Sequence, residues 1–542
     1  MQTRWPNIIA FGNIADVDEF SEWTDCFVVE KNADDLMSKT LSNESAILLC
    51  VIPRMTETTD QTDFVAMMRQ RSEDAIAFAR QSDRPLIVWV RCDKKSFLDI
   101  LPTLISAPSV TVAMFYEDTS IGSEIKQTST IKAHFLSGVW AKKSSYFSLK
   151  NWDAGLLTSA SDQNALFIAE STLGAIKNGA PFSCYVDDDS TLDEIEDAYR
   201  SETALLDAGF TDSFLPDLHP LRLIENNCLP VSISDSYSND LNQLYLRVTS
   251  DSIDKTYNKI KTSKLFVKGA LQKVRRHAYI NFSAQKLLER MCRAANLSHR
   301  FDPLPFSSIF VPTYRLNKLN FCVENFRSQN YEKKELVLAV HTNESVAHIK
   351  SLIKGPQDDI RIVRVPLINS VSVVINAGID HCDGEYAVKM DDDDYYGANY
   401  LTDMVAPNAV FDVDVFGKPP GFLYLQSMDA TYFRKNKNFP ENVIGIGLDL
   451  HQERMRMSGA THSGRTDRLR KIRFSDRIRG TADTAFFERC ADAGAKIGIW
   501  DPFNTVVFRG GAAQHNWKIA DETLKKQSVL LGEKLAVETT FV

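Results

Sequence analysis

The chain has 542 residues, 44% hydrophobic and 25% charged, which are globular proportions and exclude a disordered or collagen-like protein. That length corresponds to about two to four domains at roughly 150 residues each. With 62 Lys and Arg against 71 Asp and Glu, the formal charge of −9 speaks against general nucleic-acid binding, which depends on basic phosphate contacts.

The start, Met1-Gln2-Thr3-Arg4-Trp5-Pro6, lacks the apolar core of a signal peptide. Apolar runs such as 46–53 fall far short of the roughly 20 residues of a membrane helix. Nine cysteines include no Cys-x-x-Cys pair, which predicts reduced thiols in a cytoplasmic protein.

In chain order, residues 8–11, 26–29, 46–52, 85–90 and 110–115 read as buried strands, with a helix over 63–80 between two of them. This spacing predicts parallel βαβ units. Only Phe11-Gly12-Asn13 follows the first strand, so the glycine-rich dinucleotide fingerprint is missing. The pattern continues with a helix over 164–177, a strand over 182–186, a helix over 191–208 and a strand over 230–234. Residues 267–295 read as mostly helical, and 255–276 as a Lys- and Arg-rich solvated face. Asp302-Pro303-Leu304-Pro305-Phe306 reads as a linker. A strand over 308–311 then breaks at Pro312, followed by a helix over 316–329 and strands over 336–340 and 360–365. The predicted division is 1–150, 151–300 and 301–542, each an α/β unit.

The sharpest local signal is a strand over 386–390 that runs into Asp391-Asp392-Asp393-Asp394. Strand ends of this kind are where open α/β sheets bind ligands. Adjacent carboxylates repel one another, and a divalent cation relieves the repulsion. Mg²⁺ typically takes one or two carboxylates plus substrate phosphates. The plainer alternative is an exposed acidic turn that caps the next helix.

Around this run stand Val311-Pro312-Thr313-Tyr314-Arg315, Asn376-Ala377-Gly378 and Gly384-Glu385-Tyr386. Tyr395-Tyr396-Gly397, Phe422-Leu423-Tyr424-Leu425 and Gly459-Ala460-Thr461 follow. Together they resemble family 2 glycosyltransferases of the GT-A fold. The resemblance implies that Pro312, Thr313, Tyr314, Arg315, Asn376, Asp391 and Asp392 meet a nucleotide sugar. Asp391 and Asp393 would form the Asp-x-Asp pair, with Asp393 on a diphosphate-bound Mn²⁺ or Mg²⁺ and Asp394 the third acid. Asn343 stands where the family usually places an Asp that holds uracil or ribose, so UDP is a default.

Asp483, in Gly480-Thr481-Ala482-Asp483, matches the family's general base of inverting transfer, although Ala482 replaces the usual Glu; its alternative is a helix N-cap. His515, in Gln514-His515-Asn516-Trp517, either reaches the metal or diphosphate or is a structural histidine. Arg509 is a weaker candidate for the diphosphate. The chemistry needs these types: a carboxylate to take the acceptor's proton, and cations to stabilise the leaving diphosphate. Between Arg454 and Arg479 lie nine Lys or Arg and two acids. Within it, 457–465 reads as a mobile lid over an anionic ligand, with a solvated basic helix as the alternative.

In the first half, His219-Pro220-Leu221-Arg222-Leu223-Ile224-Glu225 leads to Leu229-Pro230-Val231. It resembles the donor-binding element of GT-B glycosyltransferases of the spore-coat-maturation type. That resemblance implies a second site at Arg222 and Glu225. Cys228 or Leu229 stands where the family has Gly, adding bulk where close approach is needed. The first half is therefore either a divergent second transferase or a non-catalytic one. Asp187-Asp188-Asp189 reads as helix capping.

The expectation is a GT-B-like pair of Rossmann-like units followed by a GT-A domain. The protein would be a metal-dependent inverting glycosyltransferase, cytoplasmic and working at or near the inner face of the membrane. It would act on a saccharide or lipid-linked acceptor in bacterial surface polysaccharide synthesis. The alternatives are a bifunctional transferase or polymerase, and a non-catalytic carbohydrate-binding scaffold.

Overall fold

A computed structural model describes residues 8–11, 26–29, 46–53, 60–92, 94–106, 109–116, 131–135, 166–169, 185–186, 204–207, 229–232, 242–249, 252–434, 442–447, 457–475, 482–510 and 519–542, with isolated residues between. The chain forms two compact units. One comprises Met1–Lys142, Asn164–Tyr257 and His277–Phe301; the other comprises Lys143–Gln163, Asn258–Arg276 and Asp302–Val542.

The first unit contains two parallel sheets. The six-stranded sheet runs Cys26–Val29, Ile8–Phe11, Ile47–Ile52, Leu86–Val90, Val112–Tyr116, Ile131–Phe135. Its three central strands are apolar throughout because both faces are covered. Helices Gln61–Ser82 and Lys94–Ile105 bury Phe64, Met68, Phe97 and Ile100 on one face. Helix Ala284–Ala294 buries Leu287, Leu288 and Met291 on the other. The order reverses at the first strand, the arrangement of a doubly wound sheet.

The five-stranded sheet includes Leu166–Ala169 and Ala204–Asp207, paired in parallel. Both lie where the sequence predicts helix. Short apolar runs such as Leu166-Phe167-Ile168-Ala169 fit a buried strand as well as a helix, and pairing decides between them. Arg222, Glu225 and Asp187 to Asp189 lie outside the described residues.

The second unit is built on an eight-stranded sheet. Its order is Ile360–Val365, Lys334–His341, Ser307–Thr313, Tyr386–Lys389, Ser463–Arg465, Val415–Gly417, Lys496–Ile499, Val443–Ile446. The first four are mutually parallel, and Ser463–Arg465 runs antiparallel to both its neighbours. A second, five-stranded sheet runs Tyr395–Tyr396, Thr505–Arg509, Phe422–Leu425, Ala430–Arg434, Ser528–Glu533. The four aspartates therefore span the step from Tyr386–Lys389 in one sheet to Tyr395–Tyr396 in the other.

Two expectations are corrected. The strand does not break at Pro312 but continues to Thr313, with Pro312 opposite Ala339. Its pairing with Tyr386–Lys389 has ended by Phe310, so the missing Pro312 N–H leaves no ladder bond unmade on that side. Nor is the stretch after Met457 a lid. Met457, Ala460, Thr461 and His462 are buried, and Ser463–Arg465 is an interior strand. Its basic residues are engaged within the unit: Arg465 with Asp412, Arg468 with Asp414 at 2.9 Å and Arg473 with Asp380 at 2.5 Å.

Two of this unit's ion pairs are strongly buried. Lys418 Nζ, fully buried, meets Asp501 Oδ2 at 2.8 Å. Arg276, on helix Lys264–Asn281, donates from Nε to Asp403 Oδ1 at 2.6 Å. Among the described residues no helix is long and apolar enough to cross a membrane.

Candidate functional site

The aspartate run is fixed by its own backbone and by the partners of its side chains, Arg315 serving two of them. Tyr400 Oη donates to the Lys389 carbonyl at 2.7 Å, and the Asp391 N–H donates to Tyr396 Oη at 2.7 Å. The two tyrosine rings pack with centroids 4.6 Å apart. Asp391 Oδ1 lies 2.7 Å from Lys389 Nζ. Asp392 accepts from Thr313 Oγ1 and from Arg315 Nη1. Arg315 Nη1 also donates to Asp393 Oδ2 at 2.9 Å. Asp394 accepts from the Phe508 N–H at 2.9 Å, which ties the run to the second sheet.

Among the described residues two cations, Lys389 and Arg315, face the four carboxylates. Burial pushes Asp392 up, and the Asp393 charge adds to it against the pull of Thr313 and Arg315. Burial and then Asp391 raise Asp393. Burial, with Asp393 and Asp391, holds Asp394 well above the usual carboxylate range. Burial lowers Lys389, but Asp391 and Asp483 outweigh it and keep the ammonium protonated above its ordinary value.

This donor set fits a hard divalent cation in charge and ligand type. Asp391 and Asp393 offer carboxylate oxygens and retain solvent access at 33% and 18% of their side chains. Among the described residues no group of three or more His, Cys, Asp or Glu is placed to hold a metal by itself. Other ligands must complete the shell, as substrate phosphates and water do for Mg²⁺. His515 lies outside the described residues.

Asp483 stands in the first turn of helix Ala482–Asp492 and is half exposed. Its carboxylate lies against Gly459, where an added Cβ would fall 2.2 Å from Oδ2. The Gly459 carbonyl accepts from Lys389 Nζ at 2.8 Å. Asp391, Lys389, Gly459 and Asp483 are therefore contiguous, although 92 positions separate the two acids (483 − 391). On the far side, His462 Nδ1 is 3.7 Å from Asp483 Oδ1.

The remaining expected residues divide. Thr313 and Arg315 join the cluster through Asp392. Pro312 precedes them in the same strand, and Tyr314 is 55% exposed with the Arg315 guanidinium over its ring. Asn343 instead caps a loop, accepting from the Leu367 N–H at 3.2 Å. Asn376 clasps the Phe474 backbone in both directions, at 2.8 and 2.9 Å. Arg509 is buried and donates to the Ile519 carbonyl at 2.6 Å.

Sequence reasoning missed Lys389 and His462. A lysine at the end of the apolar strand Tyr386-Ala387-Val388-Lys389, directly before four acids, was the available signal for the first. A histidine inside a Gly-rich turn gave none for the second.

No curated protein matches the chain significantly. Among solved structures, S. aureus TarS 1–349 is similar at 17% identity over 37% of this chain and 60% of that one, with a TM-score of 0.28. The mannosyltransferase PcManGT from Pyrobaculum calidifontis, solved with GDP-Man and Mn²⁺, is similar at 15% identity over 47% of this chain and 70% of that one, also with a TM-score of 0.28. The chain thus spans 60% of the length of the TarS structure. Residues 308–422, which hold Thr313, Arg315 and all four aspartates, match the family model Glycosyl transferase family 2.

Proposed function

We propose that the protein is a metal-dependent inverting glycosyltransferase that moves a sugar from a nucleoside diphosphate to a saccharide or lipid-linked acceptor. The observation that carries this reading is the contiguous set Asp391, Lys389, Gly459 and Asp483. It puts an anion-handling cluster and a partly exposed carboxylate side by side, as a displacement at an anomeric carbon requires.

Asp483 takes the proton of the acceptor hydroxyl as that oxygen bonds to the anomeric carbon. A single direct displacement inverts the configuration. Arg315 and Lys389 supply fixed positive charge beside the leaving diphosphate. A Mn²⁺ or Mg²⁺ held by Asp391 and Asp393 supplies Lewis-acid stabilisation of the same group when bound. Residues 301–542 form the transferase unit in this reading. Residues 1–150 and 151–300 form a GT-B-like pair that serves assembly or acceptor binding, which the two parallel sheets support. By family analogy the setting is bacterial surface polysaccharide synthesis at the cytoplasmic face of the membrane.

The test is a panel of nucleotide sugars with Mn²⁺ or Mg²⁺, read by nucleotide release and by thermal shift. Turnover that is lost in Asp391→Asn, Asp393→Asn and Asp483→Asn supports the reading. If no donor gives turnover or a thermal shift, the chain is a non-catalytic scaffold and the proposal fails.

A further inference from the structure

His462 is a fully buried imidazole that the mechanism above does not use. It lies between the 3-10 turn Gly459–Thr461 and the strand Ser463–Arg465, 1% exposed. Phe486 and Phe474 flank it, with ring centroids at 5.2 and 6.1 Å, and those two rings stack on each other at 4.0 Å. An aromatic wall of this kind fixes the orientation of the imidazole plane. Nδ1 is buried and makes no hydrogen bond, and it faces Asp483 Oδ1 at 3.7 Å. A buried nitrogen left unpaired costs free energy, so its orientation calls for a partner.

Asp483 is the partner. No hydrogen bond among the described residues reaches either of its carboxylate oxygens, and Oδ2 is backed by Gly459. The charged groups that act on His462 are Asp483, Lys389 and Asp391. Burial dominates them and lowers its pKa to about 4, so the ring is neutral under working conditions. A neutral imidazole carries one N–H, and an ionised carboxylate opposite Nδ1 favours the tautomer with the proton there.

We propose that His462 is a positioning residue for Asp483: its Nδ1–H closes onto Oδ1 when the acceptor binds and holds Oδ2 toward the acceptor hydroxyl. The inference rests on Asp483 being the base. The 3.7 Å separation is one small rotation from hydrogen-bond length, and catalytic hydrogen bonds are often longer before substrate binds. The Nδ1 proton stays on His462 throughout. Asp483 gains the acceptor's proton, the new glycosidic C–O bond forms, and the C–O bond to the diphosphate breaks.

The experiment measures kcat, donor KM and the pH profile of kcat for His462→Phe and His462→Asn in the full chain. His462→Phe keeps the aromatic packing and loses the donor; His462→Asn returns an N–H near the same place. The expected result is a kcat loss of about 10- to 100-fold in His462→Phe with donor KM unchanged. Its acid limb should move to higher pH, because an ionised Asp483 has lost a donor that favoured it. His462→Asn should recover part of both effects. Equal kcat losses in both variants with an unmoved acid limb would reduce His462 to packing and overturn the proposal, as would a wild-type kcat in His462→Phe. If His462→Phe does not fold, His462→Leu set against His462→Asn decides by the same readings. Asp483→Asn run in parallel separates the two levels: if it retains transfer, the base assignment has failed rather than the histidine's role.

Discussion

Gly459 sits where the two halves of the proposed chemistry meet, and it has no room for a side chain. A methyl group there would stand 2.2 Å from Asp483 Oδ2 and 2.5 Å from its carboxyl carbon. Gly459→Ala must therefore push Asp483 away. Nucleotide-sugar turnover should fall by about 10²-fold with donor KM little changed, since a displacement near 1 Å costs that much. His462 gives a second prediction through pH. Its folded pKa of about 4 lies below the ordinary 6.5, so the unfolded chain binds the proton more readily. The contribution is complete above about pH 6.5 and is lost as pH falls toward 4, costing about 3 kcal/mol. Asp392, Asp393 and Asp394 act oppositely, because their raised values favour the folded state as pH falls. The reading is therefore the difference in unfolding free energy between wild type and His462→Phe at pH 7 and at pH 4.5; a difference that does not change with pH refutes it. At this scale the acids were legible because adjacent carboxylates at a strand end and an Asp opening a helix are visible in one dimension. Lys389 and His462 were not, because their meaning comes from residues 70 and 21 positions away, Gly459 and Asp483.

The elements were legible where the side chains face a core on both sides. Ile47–Ile52 and Leu86–Val90 are wholly buried and read as continuous apolar runs. The second sheet of the second unit was harder. Ser528–Glu533 is an edge strand with Leu530 57% exposed, and Tyr395–Tyr396 is two residues long. Neither carries a strand pattern, and only pairing with distant segments makes them strands. Helix Val371–Asp380 shows what an element needs beyond its own sequence. Asn376, in its second half, hydrogen-bonds both the N–H and the carbonyl of Phe474. Asn376→Ala leaves those backbone groups unpaired and should cost about 1–3 kcal/mol by denaturant unfolding. Donor KM should stay at the wild-type value; a rise without a stability loss would instead place Asn376 on the nucleotide sugar.

At the scale of the whole molecule, a composition of 542 residues with charge −9 set the class but hid the way the chain is shared. The proline-rich boundary at 302–306 was legible, and the chain passes from one compact unit to the other there. The crossing at 258 was not, because the Lys- and Arg-rich stretch there reads as a solvated face, yet Asn258–Arg276 belongs with Asp302–Val542. Its anchor is Arg276, paired with the wholly buried carboxylate of Asp403. A fragment beginning at 302 strands that charge, whereas one beginning at 258 keeps it paired. Breaking a buried pair costs about 3–5 kcal/mol, so the longer fragment should melt well above the shorter; equal melting temperatures would contradict the pairing.

The same pair has a consequence for how the protein is made. Arg276 leaves the ribosome 127 residues before Asp403. At about 5–20 residues per second, the cation waits on the order of 6–25 seconds for its carboxylate. Helix Lys264–Asn281 therefore emerges before the surface that will bury it exists, and that unit can close only after Asp403 has emerged.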